Sequence, residues 1–191
     1  GFMGCYAAIS ALRSARHIVR SEPSARVLVV TVELSTLHLQ PDSTLEPLLA
    51  MLQFGDGAAA ALVTATGPGL TIEDPFAATL PDSGDLIRWD IGDQGFAMHL
   101  SGAVPGRIAE ALREPGFRET LTGGMDPKLI DSWAVHAGGR SILDAVSHAL
   151  ALDDDALDIS RGILRNFGNM SSATLMFALA GFADKIGRAH V

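Results

Sequence analysis

The sequence predicts an α/β layered fold, and three observations carry that reading. Two runs, "RVLVVTVEL" and "GAAAALVTA", are too apolar to face water on either side, as expected of strands covered on both faces. Amphipathic stretches with helical spacing separate and follow such runs. Glycine turns mark where one kind of segment gives way to the other. Buried strands alternating with helices imply sheets covered by helices.

Each element follows from its residues. Residues 6–20 carry Ile9, Leu12 and Ala15 at helical spacing, with Arg13, Arg16 and Arg20 on other faces. "SEPSA" ends that helix, and "RVLVVTVEL" follows as a buried central strand. Residues 36–53 are polar, then helical through "TLEPLLAMLQ". "FGDG" is a turn into a second buried strand. Residues 67–100 read as short strands with turns at "GPG", "PDSG" and "GDQG". "VPGRIAEALRE" is a helix. "DSWAVHAGG" is a strand stopping in a glycine loop, and "RSILDAVSHALAL" is the helix that leaves it. "DDDALDISRGILRNFG" is a helix ending at Gly168, and "NMSSATLMFALAGFADK" is a last, very apolar one. No linker and no short repeat interrupts the chain.

Composition bounds the function. The 191 residues allow one domain with a sizeable core, and 48% are hydrophobic. Lysine plus arginine is 14 against 22 aspartate plus glutamate, a formal charge of −8, which argues against a nucleic-acid partner. A single cysteine excludes an intrachain disulfide and fits a cytoplasmic protein. The six histidines show no paired metal-ligand spacing, so no metal site is expected. No apolar run reaches the ~18 residues of a membrane span. The chain begins in mid-motif without an initiator methionine, so an N-terminal part is expected to be missing. At the other end, "IGRAHV" lacks helical or strand logic and matches the translation of a common sequencing adapter. Residues 186–191 are therefore expected to be a non-native tail, and residues 1–185 the natural domain.

Three residues can carry chemistry. Cys5 lies at a helix N-terminus beside Gly1 and Gly4, where unsatisfied N–H groups favour a thiolate. His136 ends the strand "WAVH", and side chains at such strand ends face ligand crevices. Gly138 and Gly139 follow it, and glycine lets backbone approach a ligand closely. Asn169, in "FGNMSSAT", places an amide at another helix start. Each has a plain structural explanation: a buried small hydrophobe, a core histidine, a helix cap. Together, cysteine, histidine and asparagine suffice for acyl transfer: a nucleophile, a base and an oxyanion donor. The same order occurs in papain-like proteases, but their local cysteine signature is absent.

The stretches "GFMGCYAAISALRSARHIVRSEPSARVLVVTVELSTLHLQ", "QFGDGAAAAL", "WAVHAGGRSILDAV" and "FGNMSSAT" resemble the type III polyketide synthases, the chalcone and stilbene synthase-like enzymes. The first looks most like bacterial alkylpyrone and alkylresorcinol synthases. The resemblance implies a thiolase-like layered αβαβα fold, here incomplete and mainly its C-terminal half, in an enzyme that is a homodimer when full length. It implies decarboxylative Claisen condensation of malonyl-CoA onto a starter acyl group held on Cys5. Acyl-CoA and malonyl-CoA are then the substrates, with no cofactor beyond these coenzyme A thioesters. By position, Cys5, His136 and Asn169 match the family's catalytic residues. Phe54 matches a gate phenylalanine, and Met98 stands where a second gate phenylalanine is expected. Ser35 and His38 match residues that line the cavity and shape product length. Ala137 replaces the proline of the family's "HPGG", which is expected to loosen that loop. The fragment alone is expected to fold poorly and to be inactive. A β-ketoacyl-acyl carrier protein synthase III-like enzyme is the alternative, though "HAGG" and "GNMSSAT" depart from its motifs. A non-catalytic thiolase-fold acyl-binding subunit is the alternative of another class.

Overall fold

The computed structural model describes residues 3–39, 45–93 and 95–189. A 3₁₀ turn, Gly4–Tyr6, runs into α1 (Ala7–Ser21), as the arginine-flanked small-residue pattern predicts. Ala8, Ala15 and Val19 form its buried stripe. The strands β1 (Arg26–Glu33) and β2 (Gly57–Thr64) pair antiparallel, with Val29 opposite Ala61 and Thr31 opposite Ala59. Between them lie a 3₁₀ turn, Ser35–His38, and α2 (Leu45–Leu52). A second antiparallel pair joins β3 (Ile87–Gly92) to β4 (Gly95–Leu100).

The C-terminal part is helical: α3 (Val104–Arg113), α4 (Pro115–Thr122), α5 (Arg140–Leu150), α6 (Asp158–Phe167) and α7 (Ser172–Ala189). The α4 helix was not anticipated. Its start is specified by Glu114, whose carboxylate accepts the N–H groups of Gly116 and Phe117, and its end by Gly123 at φ 61°. The last helix continues past Lys185 to Ala189, so "IGRA" is helical although its residues carry no helical spacing. It holds no proline to stop the ladder.

The core sits where helices meet. Ala109 and Leu112 of α3 pack with Val146, Ala149 and Leu150 of α5, and Phe117, Trp133 and Val135 close over them. Ala137, Leu143 and Leu157 form a second cluster. Burying the valine and leucine side chains contributes about 1.5–3 kcal/mol each. The helices α1 and α7 pack on one face of the β1–β2 pair, where Val29 and Thr31 are buried and Ala59 and Ala61 keep the approach close.

Two strand expectations are corrected. The pair β1–β2 is not covered on both faces: Leu28, Val30 and Val32 are 64%, 57% and 58% exposed, and Leu62 opposite Leu28 is 51% exposed. Among the described residues, helices lie on one side of this pair only. The segment 131–139 is not a strand. It has no ladder partner among the described residues, and the Val135 N–H instead donates to Ser160 Oγ at 3.2 Å. No helix among the described residues is long and apolar enough to cross a membrane.

Candidate active site

Six chain segments converge on one cavity of about 290 Å³. The turn before α1 supplies Cys5, where Gly4 adopts φ +53°, a conformation that glycine takes without strain. The segment entering α5 supplies His136, Gly138 and Gly139. The link between α6 and α7 supplies Asn169, and the end of α2 supplies Gln53 and Phe54. Apolar walls come from the β3–β4 hairpin (Ile87, Met98, Leu100) and from α3 (Val104, Ile108).

Asn169 is 3% exposed and held on every side. Its N–H donates to the Gln53 carbonyl at 2.8 Å, and its carbonyl accepts from the Gly55 N–H at 3.0 Å. These two bonds make a parallel bridge between Phe54 and Asn169. Gly168, at φ +73°, turns the chain out of α6 to permit it. The side chain divides its work. Oδ1 accepts from the Ser171 N–H at 2.9 Å and from Thr174 Oγ1 at 3.4 Å, which ties it to the start of α7. Nδ2 donates to the Gly138 carbonyl at 3.3 Å, and the same carboxamide helps lower the Cys5 thiol pKa. Anchoring by Oδ1 and a donor role for Nδ2 are thus compatible in one carboxamide.

The loop after His136 is tight. The Gly138 N–H returns to the His136 carbonyl at 2.9 Å, and Ala137 is fully buried in the Leu143–Leu157 cluster. Packing and this turn fix the loop where proline was expected to. Both imidazole nitrogens of His136 are buried without a hydrogen-bond partner. Burial pushes its pKa down from 6.5 to about 4. Burial also pushes the Cys5 thiol up from its ordinary 9.0, as does the nearby Glu33 charge. Hydrogen bonds from Ser171, the Cys5 backbone and Asn169 pull it back only in part. Both shifts favour the uncharged forms, against the pull that a helix terminus exerts on a thiol.

Phe54, Met98, Gly138 and Gly139 border the cavity as expected, with Cys5, His136 and Asn169. Ser35 and His38 do not border it. The turn that holds Ser35 is tied to Asp56, which accepts the Thr36 N–H at 2.8 Å and Thr36 Oγ1 at 2.6 Å. His38 packs against Trp89 and Phe96 instead. Sequence reasoning missed Glu33, Ser171 and Gln53. Glu33 ends β1 and accepts from the N–H and Oγ of Ser172 at the start of α7. Ser171 is a non-glycine residue at φ +49°, a strained conformation held by the Asn169 side chain. A lone acid closing an apolar strand was the available signal for Glu33. Among the described residues, no three histidine, cysteine or acidic side chains gather as a metal site.

Comparison with known proteins agrees with this geometry. Residues 1–68 match the N-terminal domain of the chalcone and stilbene synthases, and residues 75–190 match the C-terminal domain of the same family. The chain is 34% identical over 201 residues to Type III polyketide synthase 21 of Oryza sativa subsp. japonica, covering 100% of this chain and 51% of that protein. It is 30% identical over 196 residues to Type III polyketide synthase A of Arabidopsis thaliana, covering 97% and 49%. Among solved structures it resembles PKS-I of the brown alga Ectocarpus siliculosus, with TM-score 0.91, 30% identity and coverage of 99% of this chain and 52% of that one. It also resembles 1,3,6,8-tetrahydroxynaphthalene synthase of Streptomyces coelicolor A3(2), with TM-score 0.88, 33% identity and coverage of 96% and 53%. The chain spans about half the length of the curated relatives it matches. Its α/β fold is thus part of the thiolase-like fold of these structures.

Proposed function

The chain belongs to the chalcone and stilbene synthase family, and on that premise we propose that its cavity is the condensation centre of a type III polyketide synthase. One observation carries this reading: Cys5, His136 and Asn169 border a single, mostly apolar cavity although they lie far apart in the sequence. The proposed substrates are a starter acyl-CoA and malonyl-CoA, with no further cofactor, and the products are polyketide pyrones or resorcinols. The complete enzyme is proposed to be a cytoplasmic homodimer.

The chemistry follows from the protonation states. The Cys5 thiol attacks the starter thioester carbonyl while its proton passes to the unpartnered His136 imidazole. Coenzyme A leaves as its thiol, taking that proton, and the acyl group stays on Cys5. Malonyl-CoA then loses carbon dioxide, and the electron pair of the broken C–C bond forms an enolate. Asn169 Nδ2 and the His136 N–H donate to the enolate oxygen; one such donor is worth roughly 3–4 kcal/mol of barrier. The enolate carbon attacks the acyl-Cys5 thioester and expels the Cys5 thiolate, ready for another cycle.

The test uses the full-length protein that contains this chain. Cys5→Ala should abolish acyl loading yet retain malonyl-CoA decarboxylation, and Asn169→Ala should lose decarboxylation while Cys5 still alkylates. Normal decarboxylation by Asn169→Ala would remove the oxyanion role. A chain-length series of acyl-CoAs with malonyl-CoA, read by mass, identifies the starter and the product.

A further inference from the structure

To hold a developing oxyanion, Asn169 must offer its amide N–H edge and not its oxygen. A carboxamide keeps its shape when turned over, so hydrogen bonds alone decide which edge points where. Three groups decide it here. The Gly138 carbonyl accepts from Nδ2 at 3.3 Å. On the other side, Oδ1 accepts from the Ser171 N–H at 2.9 Å and from the Thr174 hydroxyl at 3.4 Å. Two of these groups are main chain; Thr174 supplies the one side chain. Its hydroxyl is itself constrained, because it accepts the Met170 N–H at 2.8 Å and keeps its proton for Oδ1. Thr174 is 0% exposed, and Met170 and Asn169 are buried beside it, so bulk water is shut out of this network. The helix explains the placement. Thr174 is the third residue of α7, and helical side chains lean toward the N-terminus, here back over residues 169 and 170.

We propose that Thr174 is a positioning residue: its hydroxyl holds the Asn169 carboxamide with Nδ2 facing the Cys5 cavity. The proposal rests on the condensation reading above, in which Nδ2 donates to the enolate oxygen. Turned over, the carboxamide would set Nδ2 against the Ser171 N–H, donor to donor, and Oδ1 against the Gly138 carbonyl, acceptor to acceptor. It would also meet the enolate with a lone pair instead of a proton. Without the hydroxyl, only main-chain groups oppose that turn, and the Met170 N–H loses its partner one residue from Asn169. Thr174 does not border the cavity, so its effect passes through Asn169.

The experiment follows malonyl-CoA decarboxylation by the full-length protein. Thr174→Val keeps the side-chain shape and removes the hydroxyl. Its kcat should fall about tenfold to a hundredfold with little change in KM, as for an interaction made in the transition state. Thr174→Ser keeps the hydroxyl and should restore most of the rate. Iodoacetamide should still alkylate Cys5 in both. Phe182→Leu, a buried change about two turns along α7, should lower the melting temperature and leave kcat at the wild-type value. If Thr174→Val does not melt cooperatively, Thr174→Ala, which suits a helix, takes its place. Wild-type kcat in the variant lacking the hydroxyl, beside an inactive Asn169→Ala, overturns the role of Thr174 alone. So does a Thr174→Ser enzyme as slow as Thr174→Val, an equal loss of kcat in Phe182→Leu, or a loss of Cys5 alkylation along with kcat. Normal decarboxylation by Asn169→Ala overturns the oxyanion reading, and the role of Thr174 falls with it.

Discussion

Gly55→Ala should damage both the fold and the chemistry, because position 55 has no room for a side chain. A Cβ there would collide with the backbone carbonyl oxygen of Phe167, with the carbonyl carbon at 3.5 Å behind it. A flexible side chain could swing away; a backbone carbonyl at the end of α6 cannot. The collision pushes apart the two strands of chain joined at the Phe54–Asn169 bridge, bonded at 2.8 and 3.0 Å. Overpacking costs about 1–3 kcal/mol and each lost backbone bond about 1, so the total is about 2–5 kcal/mol. Displacing Asn169 by an ångström also costs about a hundredfold in a rate that depends on its position. Urea unfolding and malonyl-CoA decarboxylation of the full-length variant measure the two effects. Gly106→Ala is the control: a Cβ there meets nothing within 4 Å, inside α3, so it should stabilise by up to about 1 kcal/mol. A Gly55→Ala protein that unfolds at the wild-type urea concentration and decarboxylates at the wild-type rate would refute the reasoning.

Other expectations concern ionisation. The fold holds His136 neutral, its pKa about 4 against an ordinary 6.5. That contribution is therefore complete above pH 6.5 and is lost as pH falls toward 4, amounting to about 3 kcal/mol. Urea unfolding at several pH values should show His136→Leu losing this acid sensitivity; an unchanged pH slope would exclude His136 as its source. At Cys5, Glu33→Gln removes a charge that raises the thiol pKa, and Ser171→Ala removes a hydrogen bond that lowers it. Alkylation near neutral pH should therefore quicken in the first and slow in the second. Movement of both variants in the same direction would show that burial alone governs the sulfur.

Local signals were readable where residues announce their own geometry. Gly4, Gly138 and Gly168 stand beside Cys5, His136 and Asn169, and each chemical group lies at the junction that its glycine marks. The helices α1, α5 and α6 follow from spacing. What pattern cannot express is pairing across distance. The contact of Glu33 with Ser172 spans 139 residues, and the apolarity of β1 does not say which of its faces a helix will cover. His38 was expected to line the cavity, yet its ring goes to Trp89, a choice made by a hairpin far along the chain. Protonation at the site is hard to read for a related reason. Helix ends are visible in sequence, whereas the burial that outweighs them is a property of the assembled cavity.

The bridge between Phe54 and Asn169 is made of main-chain atoms alone. Identity at position 54 is thereby uncoupled from the aim of the carboxamide. A different ring or an aliphatic group there would reshape the cavity wall and leave the backbone rung intact. Wall and anchor thus share one rung, one in what hangs from it and the other in the rung itself.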